Sequence, residues 1–461
     1  MKYVSTRGLS EPRDFTQTVL EGMARDGGLL IPESVPDFSG QLDGLKELSY
    51  QDLAKQLFYP FVDGELDNTT LNQLVDRSYQ HFTHKSITPL RFFEPVAILE
   101  LFHGPTLAFK DIALQFLGNL FENLLNSKGV RLNIVGATSG DTGSAAIHGV
   151  RGKAGITIFM LHPKGKISPI QEKQMTTVLD DNVVNIAIEG TFDDAQRIVK
   201  ALFNDLAFKD QHALGAVNSI NWVRVMAQIV YYFYAAFQFQ KKFPSHPVVF
   251  SVPTGNFGDI YAGYVARKMG LPIEKLIMAT NENDILYRVM TTGQYKIQEV
   301  RSTISPSMDI QISSNFERFL FDLVHHEAED VRTLMEQLGS NGEFALSQQQ
   351  LVDVQRIFHP ARINTEQTLR TIARYHQKGY TIDPHTAVGI AAAEQSPFER
   401  VICLATAHPA KFNEAVIRAT GKVPEIPALL AGILDKPSRC TNSKQDLQQV
   451  KSIITEKLSA Q

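Results

Sequence analysis

From residue 131 onward, short apolar runs rich in β-branched residues alternate with stretches in which apolar positions recur every three to four residues. Leu132–Val135 precedes Ala145–Val150, Ile156–Leu161 precedes Ile170–Leu179, and Val183–Ile188 precedes Asp193–Phe208. The alternation resumes after Pro247, with Val248–Val252 before Tyr261–Met269 and Lys275–Thr280 before Ile285–Thr291. A last strand, Arg400–Ala405, leads into a helix near Ala410. Strands alternating with helices predict βαβ units, and hence parallel sheets covered by helices on both faces. Residues 1–95 read as a mostly helical N-terminal region. The long helix around Ser219–Lys241 separates two α/β blocks, and the polar helical stretch 315–380 reads as an insertion. The expected class is therefore α/β, with two three-layer domains. Residues 96–130 and 215–461 form the larger one, which carries the insertion, and 131–214 form a smaller, mobile one.

Composition narrows the function without naming it. Hydrophobic residues make up 43 % of the 461 positions and charged residues 20 %, which excludes a disordered or fibrous chain. With 45 Lys and Arg against 49 Asp and Glu, the net charge is −4, and no global field draws the chain to nucleic acid or to anionic lipid. Any anion must be held by a local constellation. Two cysteines without a CxxC partner argue against a disulfide framework or a zinc site, and Cys403, inside an apolar run, reads as a buried structural thiol. The start of the chain lacks a signal-peptide core, and the most apolar long stretch, Val223–Phe239, is interrupted by Arg224, Gln228 and Gln238. A soluble cytoplasmic protein is expected, bound neither to membrane nor to nucleic acid.

Four motifs carry candidate chemistry. The loop Thr138-Ser139-Gly140-Asp141-Thr142-Gly143-Ser144 lies between a strand and a helix, where small residues let amides approach an anion at a helix N-terminus. An ordinary capped turn would use the same residues, and neither a P-loop lysine nor GxGxxG spacing is present. Pro253-Thr254-Gly255-Asn256-Phe257-Gly258-Asp259 repeats the arrangement after a second strand. Two cradles at the carboxyl ends of parallel strands favour a phosphorylated ligand. The third motif is His103-Gly104-Pro105-Thr106-Leu107-Ala108-Phe109-Lys110-Asp111, where a helix starting near Leu107 sets Lys110 among apolar neighbours. Burial disfavours the charged amine and makes it a usable base and nucleophile. A Schiff-base lysine near phosphate cradles points to pyridoxal phosphate. The fourth, Leu404-Ala405-Thr406-Ala407-His408-Pro409, ends the last strand. Thr406 there either caps a helix or meets the cofactor's pyridine nitrogen, and His408 is a packed or capping histidine.

At these motifs the chain resembles threonine synthase, a pyridoxal-phosphate enzyme of fold type II related to tryptophan synthase β. Tyr3–Gly8, Asp26–Leu29, Asn218–Trp222, Ser305–Ile310, Ser314–Arg318 and Asp383–Ala387 resemble the longer, bacterial and fungal type. The resemblance runs from residue 3 to about 412, and as a set these segments are highly specific. It implies that Lys110 carries the cofactor, that Gly255, Asn256, Phe257, Gly258 and Asp259 hold its phosphate, and that Thr406 faces its ring nitrogen. Asp141 falls where related enzymes place an Asn beside the cofactor's 3′-oxygen, which sets an acid against a phenolate. The implied reaction converts O-phospho-L-homoserine and water to L-threonine and phosphate, with the Lys110 amine moving protons between adjacent carbons. Thr138, Ser139, Gly140 and Thr142 would receive the substrate carboxylate, and Arg224 and Lys166 its phosphate. For both cations a surface salt bridge is the competing reading. A phospholyase releasing 2-oxobutyrate, a serine or threonine dehydratase, and a ligand-binding protein without catalysis remain alternatives, as do monomer and homodimer.

Overall fold

The computed structural model describes residues 1–460. Two sheets organise the chain. In spatial order the larger runs Phe358–Arg362, Ile273–Thr280, Val248–Pro253, Val401–Ala405, Val96–Glu100 and Leu90–Phe93. Its first five strands are parallel, and the Leu90 edge pairs antiparallel with its neighbour. The smaller runs Thr441–Ser443, Val183–Ile188, Ile156–Pro163, Leu132–Ala137 and Leu214–Gly215, all parallel. Strands such as Val248–Pro253 and Ile156–Pro163 are buried along their whole length, as expected where helices cover both faces of a sheet.

Two placements differ from the expected division. Thr441–Ser443 joins the smaller sheet, and the helix Leu447–Ser459 packs Val450 and Ile454 onto Ile186 and Ile188, so the end of the chain does not belong to the larger unit. The edge strand is three polar residues long and has no apolar run to reveal it. The stretch 315–380 is not purely helical either: Phe358–Arg362 closes one edge of the larger sheet. Within 96–130, Val96–Glu100 is an interior strand of that sheet. The N-terminal region is mostly helical, with Tyr3–Ser5 and Leu30–Pro32 paired as a small antiparallel ribbon.

The helices that carry the site pack closely across the gap between the sheets. Lys110–Lys128 crosses Asp141–Val150 where a Cβ on Gly118 would fall 1.9 Å from the Gly149 carbonyl oxygen. One on Gly149 would lie 2.5 Å from the Leu114 carbonyl oxygen. Only glycine admits so close a backbone approach. It locks the two helices together, and at their starts Lys110 Nζ lies 3.7 Å from Asp141 Oδ2. Among the described residues no helix is long and apolar enough to cross a membrane.

Candidate active site

The segment before Lys110 is held in a strained shape by its own motif. Leu107 adopts φ 60°, a left-handed conformation uncommon outside glycine, so the helix begins at Lys110 and not at Leu107. The Asp111 carboxylate accepts from the Thr106 amide at 2.8 Å and the Thr106 hydroxyl at 2.6 Å. Gly104 leaves room for it, since a Cβ there would lie 2.4 Å from that of Asp111. Burial pushes the Asp111 carboxyl up to about 6, against the pull of those two donors. Ala108 bridges Ala407, and the Phe109 amide donates to the Thr406 carbonyl at 2.8 Å. Gly104, Thr106, Leu107, Ala108 and Phe109 thus fix where Lys110 stands relative to Thr406.

Lys110 is buried, and burial lowers its pKa despite Asp141, whose Oδ2 lies 3.7 Å from Nζ. Lys411 and Arg224 push in the same direction as burial. Around the amine opens a cleft of about 780 Å³, mouth included, lined by Lys110, Asp141, Thr142, Arg224, Gly255–Asp259 and Thr406 among others.

On the far wall the loop after Val248–Pro253 is pinned by its carbonyls. The Ser313 hydroxyl donates to the Gly255 carbonyl at 2.7 Å, and the amide and side chain of Asn315 both donate to the Asn256 carbonyl at 3.1 Å. The amides of Gly255, Asn256 and Phe257 find no acceptor among the described residues. Phe257, at φ 63°, turns the chain into the helix Gly258–Lys268. A Cβ at Gly255 would come 2.9 Å from the Ser307 carbonyl oxygen. The result is a ring of open donors at a helix N-terminus. Asp259 turns its carboxyl away from that ring, accepting from the Tyr231 hydroxyl at 2.5 Å and the Tyr232 hydroxyl at 2.9 Å, and burial pushes it up to about 6.

Arg224 lies near the start of the helix Trp222–Lys242, 4 % exposed, with Nε and Nη1 unpartnered. It forms no ion pair with a described carboxylate, and burial pulls it down to about 10. The surface salt-bridge reading fails for it. Lys166, in contrast, is exposed on the turn after Ile156–Pro163 and does not line the cleft, so its assignment to the substrate phosphate is corrected.

The loop 138–142 is only partly available. The Thr138 hydroxyl accepts from the Gly140 amide at 3.0 Å and the Gly143 amide at 2.9 Å, so Thr138 and Gly140 shape the turn and do not offer these groups to a ligand. Ser139 is exposed outside the cleft, while Thr142 and the start of the Asp141 helix face it. Thr406 lines the cleft and caps nothing. His408 caps the turn Pro409–Phe412 through Nδ1, which accepts from the Ala410 amide at 3.2 Å. Cys403 is fully buried, as a structural thiol should be.

Two features carry no role in the sequence reading. Asp383, at the head of the helix Pro384–Gln395, bonds His385 Nδ1 at 2.7 Å, and His385 Nε2 accepts the Ser307 amide at 3.1 Å. Asp383 also takes the Thr386 hydroxyl, whose oxygen accepts the Thr406 amide at 3.2 Å, so one buried carboxylate positions both Ser307 and Thr406. The second feature is Lys411, fully buried, whose Nζ lies 2.7 Å from Asp141 Oδ1. The signal available for it was a lone lysine just past a strand end between Ala410 and Phe412.

Comparison with known proteins places this arrangement. A family model described as pyridoxal-phosphate dependent enzyme matches residues 88–339. Models for the threonine synthase N terminus and the threonine synthase C-terminal region match 2–79 and 386–454. The threonine synthase of Pseudomonas aeruginosa is 46 % identical over 99 % of this chain and 98 % of its own. A crystal structure of pyridoxal-phosphate-bound threonine synthase from Brucella melitensis superposes with a TM-score of 0.96 at 45 % identity, covering 99 % of each chain. That of threonine synthase from yeast gives 0.95 at 42 %, covering 100 % of this chain and 99 % of the other.

Proposed function

This chain belongs to the threonine synthase family, and on that premise we propose that its cleft converts O-phospho-L-homoserine and water to L-threonine and phosphate with Lys110 as the mobile base. One observation carries the reading. The buried Lys110 amine shares one cleft with two anion sites that no described residue neutralises, the open amides of Gly255–Phe257 and the unpartnered guanidinium of Arg224. A phosphorylated cofactor and a phosphorylated substrate need two such sites.

Pyridoxal 5′-phosphate fits these residues: the open amides suit its phosphate, and the buried amine suits its aldehyde. When bound, the cofactor accepts the electron pair left at the substrate's Cα. The Gly255–Asp259 amides would hold its phosphate, Lys110 its aldehyde carbon and Thr406 its ring nitrogen. Thr142 and the start of the Asp141 helix receive the substrate carboxylate.

The remaining work is proton traffic. The Lys110 amine removes the Cα proton and then one Cβ proton. Phosphate leaves Cγ with the bonding pair while Arg224 meets its charge, Cγ gains a proton, and water gives hydroxyl to Cβ and a proton to the phosphate. Cα is then reprotonated. One base on a long flexible stem reaches adjacent carbons, and a low pKa keeps it free to accept.

Substrate preference tests the assignment. O-phospho-L-homoserine should release phosphate, whereas L-serine and L-threonine should turn over at less than about a hundredth of its kcat/KM, because without a phosphate ester Arg224 stays unpaired. Comparable turnover of serine or threonine would make the protein a dehydratase.

A further inference from the structure

Resting on the reading of Lys110 as the base, we propose that Lys411 is a positioning residue of the reaction: its buried ammonium clamps Asp141 so that the Lys110 amine faces a neutral ion pair and not a bare carboxylate.

The geometry is specific. Lys411 follows the strand Val401–Ala405 of the larger sheet and is fully buried. Its Nζ donates to the Thr106 carbonyl at 2.8 Å, in the turn that sets Lys110, and pairs with Asp141 Oδ1 at 2.7 Å. Gln171 Nε2 donates to the same oxygen at 2.8 Å. Two donors on Oδ1 fix the carboxylate plane and leave Oδ2 toward Lys110, at 3.7 Å. Asp141 and Gln171 come from the smaller sheet's helices, Lys411 and Thr106 from the larger unit, so the pair also ties the units together beside the cleft.

An acid at position 141 is costly without this partner. It would face the 3′-oxygen of the cofactor as a second negative charge, and it would hold Lys110 as ammonium, unable to accept a proton. With Lys411 in place the Asp141 carboxyl stays well below the usual carboxylate range against the cost of its burial, through Lys411 first and Lys110 second. The other charged or titratable groups that face this set are Arg224 from the Trp222 helix, His385 from the Pro384 helix, Asp111 from the Lys110 helix, His148 from the Asp141 helix and His408 just before Lys411, and Lys411 opposes protonation of both His148 and His408. Arg224 opposes protonation of Lys110. The sign of each substitution follows. Removing Lys411 leaves a bare anion and raises the pH at which Lys110 is free. Removing the Asp141 charge leaves a bare cation and lowers it. Removing both cancels.

The test follows uptake of pyridoxal 5′-phosphate by the cofactor-stripped full-length protein, read as growth of visible absorbance across pH. Lys411→Met should move the profile up by about one pH unit or more, Asp141→Asn should move it down, and the double variant should return near the parent. The same order should hold for the acid limb of kcat. A purely structural pair would give two impaired variants without opposite displacements. The inference is overturned if Lys411→Met loads the cofactor with the parent profile, if both single variants move the same way, or if the double stays as displaced as either. Should Lys411→Met fail to fold, the Asp141→Asn arm decides alone, and an unmoved profile there overturns the inference. Lys110→Ala serves as the control: if it develops the parent's absorbance, the reading of Lys110 fails and not the role of Lys411.

Discussion

Lys110→Ala is expected to abolish the visible absorbance of the bound cofactor and to lower kcat for O-phospho-L-homoserine by about 10⁴-fold. The size follows from how much converges on one atom. Every proton that leaves or rejoins Cα, Cβ or Cγ passes through an amine that the chain has placed at some expense: a left-handed Leu107, a buried Asp111, a glycine at 104 with no room for a side chain. No second buried amine can replace it, because the nearby one, Lys411, is spent on Asp141 and the Thr106 carbonyl. Added methylamine should restore part of the rate by diffusing into the space vacated, with a dependence on amine pKa. Activity within tenfold of the parent in the unsupplemented variant would show that another group moves the protons.

Arg224→Met should lower kcat/KM for O-phospho-L-homoserine by about 10²- to 10³-fold while raising the thermal midpoint of the cofactor-free protein. The two effects have one cause. Arg224 is buried without a carboxylate, and its Nε and Nη1 have no acceptor. Burial destabilises the charged form, which is why its pKa falls to about 10. A side chain of similar length without charge removes that cost, so the free protein gains. Substrate phosphate supplies the missing anion, so the complex loses. Arg224→Lys should recover only part of the rate, since an ammonium cannot reproduce a two-pronged contact with phosphate. If Arg224→Met instead weakens pyridoxal 5′-phosphate binding and leaves substrate selectivity intact, the guanidinium serves the cofactor.

Much of this was legible in the chain before folding, for identifiable reasons. Val183–Ile188 and Val248–Pro253 are apolar runs broken only by Asn185 and Ser251, and parallel strands covered on both faces are written that way. The two cradles were visible because amide approach to an anion requires small residues between strand and helix. Lys110 stood out because its neighbours are apolar. The start of its helix did not, since Leu107 at φ 60° is dictated by pairing with residues 406–408, far away in sequence. Thr441–Ser443 was hidden because an edge strand of three polar residues needs only a neighbour's ladder. Lys411 was hidden because its meaning is relational: a lysine after a strand becomes a counter-ion only once the smaller sheet brings Asp141 against it. Lys166 failed in the opposite way, since a basic turn after a strand lies outside the cleft in space.

The Asp383 network has the same relational character. A carboxylate at a helix head reads as an ordinary cap, and it is one, since Asp383 accepts the His385 and Thr386 amides. The same group also orders His385 and Thr386, and through them Ser307 and Thr406, both of which line the cleft.

The fate of the substrate carbon skeleton separates threonine formation from simple elimination. O-phospho-L-homoserine given to the enzyme loaded with pyridoxal 5′-phosphate should yield L-threonine and phosphate in equal amounts, with solvent deuterium entering threonine at Cα and Cγ. Phosphate accompanied by 2-oxobutyrate and ammonia, without threonine, would contradict it.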